Sequence, residues 1–400
     1  MSHLYLLGVA SLTLTSAGFA GSDMNADLQN RLEAAEARIA ELSADQNQNW
    51  LNDERADAVR GLVQDVLADA DTRASLQGAS GSAGYDDGFT IASADGNFTL
   101  KINGGVWTSW SSGDDDDPAG NQDEDGGFGT PDMWMHLSGT IAGDWSYDIR
   151  HEDDNNDTWE NVTWNLSDGW DLTMGSFNLH QDRFSQISEV NQMLIGHNGG
   201  ATVANGLSLA YTGDDMRFWA DWTNSANGTG SANDGDYNMN LRGEYMAEGN
   251  WGQFDQFTSA DGGAAGTLIG FGYNVVSNDG TVAVGDVGGT DGDATWNIDV
   301  QMQFGGYAIY VGYSDFSDDD GLDGGDSDTT TIMASYYLNS GWEAYAAYND
   351  VSNEDGESWA VGVNNYWAGQ NAKWTTQYTV DESDAAGDDT TISTQLQFYF

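Results

Sequence analysis

The stretch TWNIDVQMQF, residues 295–304, alternates without a break. Trp296, Ile298, Val300, Met302 and Phe304 fall on one side of an extended chain, and Asn297, Asp299, Gln301 and Gln303 on the other. A period of two marks a β-strand with one apolar and one polar face, whereas a helix would scatter these side chains around its axis. The same dyad recurs in TWENVTWNLS (158–167), YNMNLRGEYM (237–246), YAIYVGYS (307–314), TTIMASYYL (330–338), WEAYAAYN (342–349), KWTTQYTV (373–380) and the terminal ISTQLQFYF (392–400). In NFTLKINGGVWTSW (97–110), Phe98, Leu100, Ile102, Val106 and Trp110 oppose Thr99, Lys101, Asn103 and Ser109.

What joins these strands decides what the apolar sides face. Short connections are AGDW (142–145), SDGW (167–170), TGDD (212–215), GGY (305–307), SGW (340–342) and AGQN (368–371). Long acidic ones are SSGDDDDPAGNQDEDGG (111–127), EDDNND (152–157), NSANGTGSANDGD (224–236), SNDGTVAVGDVGGTDGD (277–293), SDDDGLDGGDSD (317–328), NDVSNEDGE (349–357) and DESDAAGDD (381–389). The two kinds alternate, which puts long loops on one rim and short turns on the other, the asymmetry of a transmembrane antiparallel β-barrel. A soluble β-sandwich also buries apolar sides, but it has no use for an opposite side so uniformly Asn, Gln, Thr, Ser and charge. Adding the loop near 180–200 gives about eight hairpins, hence about 16 strands with both barrel ends on the short-turn rim. A further pair drawn from WGQFDQFTSADGG (251–263) and TVAVGD (281–286) raises the count to about 18. Both pieces are short and Gly-rich, so we read them as a long turn and part of a loop.

Composition agrees with an all-β chain. Fifty-two Gly and 2 Pro suit many extended segments joined by turns. Cysteine is absent, which excludes disulfides and thiolate metal sites. With 65 acidic against 11 basic residues the net charge is −54, which disfavours nucleic acid as a partner. Disorder is excluded for most of the chain by 16 Trp, 17 Tyr and 14 Phe.

The N-terminal region reads differently. LYLLGVASLTLTSAGFA (4–20) has the apolar run and small-residue end of a secretory signal, although only His3 precedes the run. Leu28, Leu32, Ala35, Ile39 and Leu42 follow at spacings of four, three, four and three, the seam of a coiled coil. A second helical stripe holds Val59, Leu62, Val63, Val66 and Leu67, and GASGSAG (78–84) ends the helical character. The expected organisation is a signal peptide over 1–20, a periplasmic helical and coiled-coil segment over 21–77, a linker and barrel entry over 78–95, and an outer-membrane barrel over 96–400.

The helical segment DERADAVRGLVQDVLADADTRASL (53–76), the entry GFTIASADGNFTLKINGGV (88–106), the hairpin ENVTWNLSDGWDLTMGSFN (160–178) and the terminal aromatic together resemble bacterial porins of the phosphate-selective porin O and P family. The resemblance spans roughly residues 50–400 and is one of pattern. It implies a homotrimer of 16-stranded barrels, general or anion-preferring, with the third loop folded inward. Scarce Arg and Lys depart from that family, since anion preference depends on them. Phe400 is expected in the aromatic girdle at the short-turn rim of a barrel whose partners are lipid and lipopolysaccharide, and similarity to other outer-membrane proteins also marks Phe398 and Phe400 as the signal read by the barrel assembly machinery.

A porin does no bond chemistry; it filters by the size and charge of its bore. HQDRFSQISEVNQMLIGHNGG (180–200) is the candidate constriction, because Phe184, Ile187, Val190, Met193, Leu194 and Ile195 in an external loop need something to pack against. Alternation turns Lys101, Arg150, Arg217, Arg242 and Lys373 inward, and Arg183 lies in the candidate loop. Glu152, Asp171, Asp221, Glu244, Asp299 and Glu343 are inward acids. Lipid exclusion alone predicts this, since a charge at mid-bilayer costs about 2 to 4 kcal/mol. These residues are therefore either a selectivity filter or wall charges paired across strands, as Arg242 with Glu244 and Arg217 with Asp221. The acidic loops offer oxygen ligands for weak Ca²⁺ or Mg²⁺ binding, but no complete calcium-loop motif is present, so no cofactor or metal site is assigned. His136, His151, His180 and His197 sit in no catalytic motif, which disfavours an enzyme. The expectation is passive diffusion of small hydrophilic solutes or ions, with the acidic rim leaning toward cations; the alternative is a non-conducting structural or adhesive barrel.

Overall fold

The computed structural model describes residues 30–31, 33–37, 82–86, 88–115, 126–152, 159–196, 202–224, 237–277, 293–317, 326–339, 341–352, 356–383 and 388–400. Two units divide the chain, Met1–Ala79 and Ser80–Phe400. In the first, residues 30–31 and 33–37 are α-helical and Ala35 is exposed. The signal sequence and the other seam positions, Leu28, Leu32, Ile39 and Leu42, lie outside the described residues.

The second unit is built of strands, in chain order β1 (Ser82–Tyr85), β2 (Phe89–Ala92), β3 (Thr99–Asp115), β4 (Gly126–Phe128), β5 (Asp132–Ile141), β6 (Trp145–Glu152), β7 (Trp159–Ser167), β8 (Trp170–Asn178), β9 (Val203–Thr212) and β10 (Met216–Thr223). It continues with β11 (Tyr237–Glu248), β12 (Ala265–Ser277), β13 (Ala294–Phe304), β14 (Tyr307–Ser317), β15 (Ser327–Asn339), β16 (Trp342–Val351), β17 (Gly356–Tyr366), β18 (Ala372–Ser383) and β19 (Asp389–Tyr399). Setting aside the appended β1, β2 and β4, β3 and β5 through β19 make sixteen strands, each antiparallel to its neighbours. The last pairs with the first, from Asp389↔Asp115 to Tyr399↔Gly105, and closes the barrel.

At 17 residues β3 outreaches both neighbours, and two short strands complete it. Hairpin β1–β2 pairs with residues 99–102 beyond the end of β19, so part of the region read as linker and barrel entry extends the wall. β4 pairs with residues 110–112 beyond the end of β5. The short turns fall where Gly and Asp beside an aromatic residue mark them. In the Gly305–Gly306 link both residues have positive φ, 65° and 117°, the conformation that lets two residues reverse a twisted hairpin. Residues 249–264 join β11 to β12 as a long turn and not as an added strand pair, whereas 281–286 lies outside the described residues.

Side-chain parity holds along the wall. On β13, Trp296, Ile298 and Phe304 are exposed on the outside while Asn297, Asp299, Gln301 and Gln303 are buried within. Outward aromatics gather at two levels. Near the short turns Trp145 stacks on Trp164 at 5.3 Å, Trp170 meets Tyr211 at 4.9 Å and Tyr307 stacks on Tyr336 at 4.6 Å. Toward the long loops Trp296 meets Tyr313 at 5.3 Å and Trp359 meets Tyr378 at 5.6 Å.

The chain's last residue belongs to the seam. Phe400 N–H donates to the Gly104 carbonyl at 2.9 Å, and Gly104 N–H donates back to the Phe400 carbonyl at 3.0 Å. Deleting Phe400 removes both bonds at the one place where the sheet must find its own start. Folded barrel recovered from membranes, read as the heat-modifiable band on a gel, is expected to fall several-fold, whereas a Phe400→Trp protein assembles normally.

Candidate functional site

Two chain segments enter the barrel, one from each rim. From the long-loop rim the β8–β9 connection carries two 3₁₀ turns, Phe184–Gln186 and Glu189–Asn191. From the opposite rim residues 249–264 carry a third, Trp251–Phe254, closed by a reciprocal cap: Gln253 N–H donates to Asn250 Oδ1 at 3.1 Å, and Asn250 N–H to Gln253 Oε1 at 3.0 Å. The segments meet in the interior. Phe184 and Phe257 lie 5.0 Å apart, each against Tyr310 of β14, in an apolar cluster completed by Ile187, Met193, Met333 and Tyr345.

Around that cluster the loop is bound to the wall residue by residue. The His180 N–H and ring Nδ1 reach the Asp221 carboxylate at 2.9 and 3.0 Å, and Ser208 Oγ donates to the same group at 2.6 Å. Asn297 Nδ2 donates to the Gln181 carbonyl at 2.9 Å. Arg183 donates through Nε to Gln301 Oε1 at 2.8 Å, through Nη2 to the Phe254 carbonyl, and pairs with Glu244 at 3.3 Å. Glu189 accepts from Arg150 at 2.8 and 2.9 Å. Lys373 caps the Gln192 and Val190 carbonyls at 2.6 and 3.3 Å, Asn364 the Met193 carbonyl at 3.2 Å, and Gln377 both backbone groups of Ile195. Burial in the barrel raises the Asp182 carboxyl above its usual range, although the Ser185 N–H works against it.

Arg242 is the centre of the charged network. Its guanidinium pairs with Glu244 on its own strand at 2.8 Å and with Asp299, two strands away, at 3.0 Å. It lies across β12, where register sets Gly270 opposite Glu244 and Asp299, and Gly272 opposite Arg242 and Asn297. A Cβ at Gly270 would stand 2.5 Å from Arg242 Nη2 and 2.6 Å from Asp299 Oδ1, so a side chain there must displace one end of this ion pair.

The remaining candidates are placed as follows. Arg150 contacts Glu152 and lies between the Trp134 and Trp159 rings at 4.3 and 4.7 Å. Arg217 stacks on Trp251 at 4.0 Å. Asp221 is held by His180 and Ser208; it is not the partner of Arg217. Glu343 accepts from Tyr366 OH at 2.6 Å, Asn364 at 3.0 Å and Thr258 at 3.2 Å. Lys101 and Asp171 face inward and are half-buried, whereas Phe398 and Phe400 are exposed on the outer face.

No family model and no curated protein matches the chain. Solved structures match its shape. A loop L8 deletion mutant of OmpT, an outer membrane protein of Vibrio cholerae, aligns with a TM-score of 0.50 at 12% identity, covering 76% of this chain and 100% of that one. OpdL of Pseudomonas aeruginosa aligns at 0.49 with 9% identity, covering 75% and 98%. At such identities the likeness is one of fold.

Several interior residues are invisible to a reading of charge. Tyr310, Met333 and Tyr345 point inward from β14, β15 and β16, whose sequences are apolar on both sides, as in YAIYV (307–311). That loss of alternation is the signal: a wall strand needs an apolar inner side only where something packs on it. The glycines of IGFGYN (269–274) are the other signal. Replacing Arg242 by Met strands two buried carboxylates and is expected to cost about 3–5 kcal/mol in urea unfolding of the refolded barrel. Adding Glu244→Gln and Asp299→Asn recovers part of the loss, and Gly270→Val destabilises in the same direction as Arg242→Met.

Proposed function

We propose that this chain is an outer-membrane porin through which small hydrophilic solutes or ions diffuse passively. The carrying observation is that the inward loop occupies one side of the barrel and leaves the β5–β9 wall facing an open trough of about 580 Å³, lined by Ser138, Thr140, Ser146, Asn161, Thr163 and Thr173 among others. A plug has no need of such a space. An apolar exterior between aromatic girdles supports insertion in a bilayer: Trp296 and Phe304 are eight residues apart on β13, roughly 26 Å along a strand at about 3.3 Å per residue. Tilting shortens that toward the apolar band of a membrane barrel.

Within this reading the charged candidates divide. Arg150, Arg183, Arg242, Lys373, Asp221, Glu244, Asp299 and Glu343 hold the constriction in place, while Lys101, Asp171 and Arg217 remain candidates for contact with solutes. A homotrimer, a coiled coil over Leu28–Leu42 assisting it in the periplasm, and recognition of Phe398 and Phe400 by the assembly machinery complete the proposal. Kinship with phosphate-selective porins stays part of the proposal at the level of architecture; the acidic surplus speaks against phosphate as the preferred solute. The packed side of the interior favours the second reading, a non-conducting structural barrel.

Planar bilayers separate the two. Purified protein is expected to give conductance steps of stable size, and Arg183→Ala, which unties the loop from Glu244, Gln301 and the 249–264 turn, larger and noisier ones. A folded protein that gives no steps at any voltage is a structural barrel. Ile298→Lys puts a charge on the outer face and should cost about 2 to 4 kcal/mol in lipid; an unchanged stability there contradicts membrane insertion.

A further inference from the structure

The wall opposite the packed loop has an order that its strands do not show singly. Register sets Thr140 opposite Ser146, Ser146 opposite Thr163, Thr163 opposite Thr173, and Thr173 opposite Ser208. Thr99 joins the row through Thr140, hydroxyl to hydroxyl at 3.0 Å, and Thr163 bonds Thr173 at 2.7 Å. One belt of hydroxyls thus runs around the inside from β3 to β9. The next row toward the long loops runs from Lys101 and Ser138 through Asp148 and Asn161 to the facing pair Gly175 and Gly206, where no side chain stands.

Charge is scarce along the trough. Among the described residues no Lys or Arg lines the trough itself and Asp148 is its one acid, the nearest inward cation in register being Lys101 opposite Ser138. Both Asp148 oxygens are engaged, Oδ1 by the Trp159 Nε1–H at 2.5 Å and Oδ2 with His136 Nε2 at 2.7 Å. Trp159, Phe177 and the His180 ring, stacked 5.2 Å from Trp219, border the end nearer the loop. Asn178, which also lines the trough, keeps its Oδ1 without a hydrogen-bond partner among the described residues.

An ion entering such a space gives up hydration and gains no free opposite charge, since Asp148 is already held by Trp159 and His136, whereas a neutral polyol exchanges water for hydroxyls and amides nearly one for one. Apolar ring faces beside hydroxyl rows also match the two kinds of surface that a sugar carries. From this arrangement we infer that the trough is a passage for neutral polyhydroxylated solutes of monosaccharide size. The inference rests on the porin reading and narrows its solute class. It also departs from the cation preference expected of the acidic rim.

The test uses three size-matched probes, neutral glucose, anionic gluconate and cationic glucosamine, entering neutral phosphatidylcholine vesicles that carry the full-length protein. Glucose is expected to enter about fivefold faster than either charged probe, the ratio that one extra hydrogen bond confers. Comparison with both signs matters, since the net charge of −54 slows gluconate but favours glucosamine. Thr163→Val combined with Thr173→Val removes two hydroxyls at nearly constant volume and should bring the ratios toward unity, each read against that variant's own chloride conductance. Ser146→Ala, a single-atom deletion, gives a smaller shift in the same direction and serves if the double variant does not assemble. Glucosamine or gluconate matching glucose in a conducting protein overturns the inference alone, as does a glucose advantage that survives the substitutions. A folded protein that passes neither ions nor glucose overturns the porin reading together with it.

Discussion

Everything in this structure depends on the sheet having no edge. An open sheet of this length presents a row of unpaired N–H and C=O groups at each end, costly to bury and prone to pair with another chain. Here β19 finds β3, and the eleven pairings from Asp389 to Tyr399 leave the sixteen-stranded wall complete. Closure also fixes which face of every strand is inside, because pairing constrains register and a slip of one residue turns a strand inside out. The alternation of a single strand such as β13 therefore has a meaning only after the last strand has met the first.

Closure creates an interior, and this interior is asymmetric. From β11 to β18 the loop and the 249–264 turn pack against Tyr310, Met333 and Tyr345, and polar wall groups satisfy the backbone of both segments. Such contacts fix a loop because its carbonyls, once taken from water, must find donors or cost about 1–3 kcal/mol each. Lys373 and Asn364 supply those donors to the loop, and Gln301 and Gln303 supply them to the turn. A buried ion network adds little net stability compared with an apolar packing, but it is intolerant of displacement. Arg242 across Gly270 is thus better understood as a device of position than of strength.

The sequence carried the wall almost whole and the interior only in outline. Strand alternation, the parity of long and short connections and the count of sixteen follow from local rules, and β13, predicted over 295–304, is observed over Ala294–Phe304. The inward loop was legible from Phe184, Ile187 and Met193, apolar residues with no business in solvent. Pairing inside the barrel was legible only in part: Arg242 meets Glu244 as expected. Arg217 and Asp221 lie close in sequence, yet Asp221 binds His180 and Arg217 stacks on Trp251, since contacts in a lumen are set by loops arriving from elsewhere in the chain. The second intruding segment, 249–264, was recognisable as a long turn, but nothing in WGQFDQFTSADGG states that Phe254 and Phe257 turn inward. The hydroxyl belt is likewise silent in sequence, being spread over Thr99, Thr140, Ser146, Thr163, Thr173 and Ser208 and assembled by register alone.

Strand length ties the two halves of the interior together. β5 to β10, which carry the trough and touch the loop mainly through Arg150 and Asp221, run to between 8 and 10 residues, whereas β11 to β19 run to between 10 and 13. A taller wall has more inward positions, and there the fold spends them on an apolar cluster and on donors for the loop. The lower wall has fewer, and around the trough they are mainly Ser, Thr and Asn. On the proposed path a short trough offers a solute few contacts, so any one binding step there is shallow and release from it is fast. Selectivity in such a proposed path would arise from what the trough lining fails to offer, a free counter-charge, as much as from what it presents.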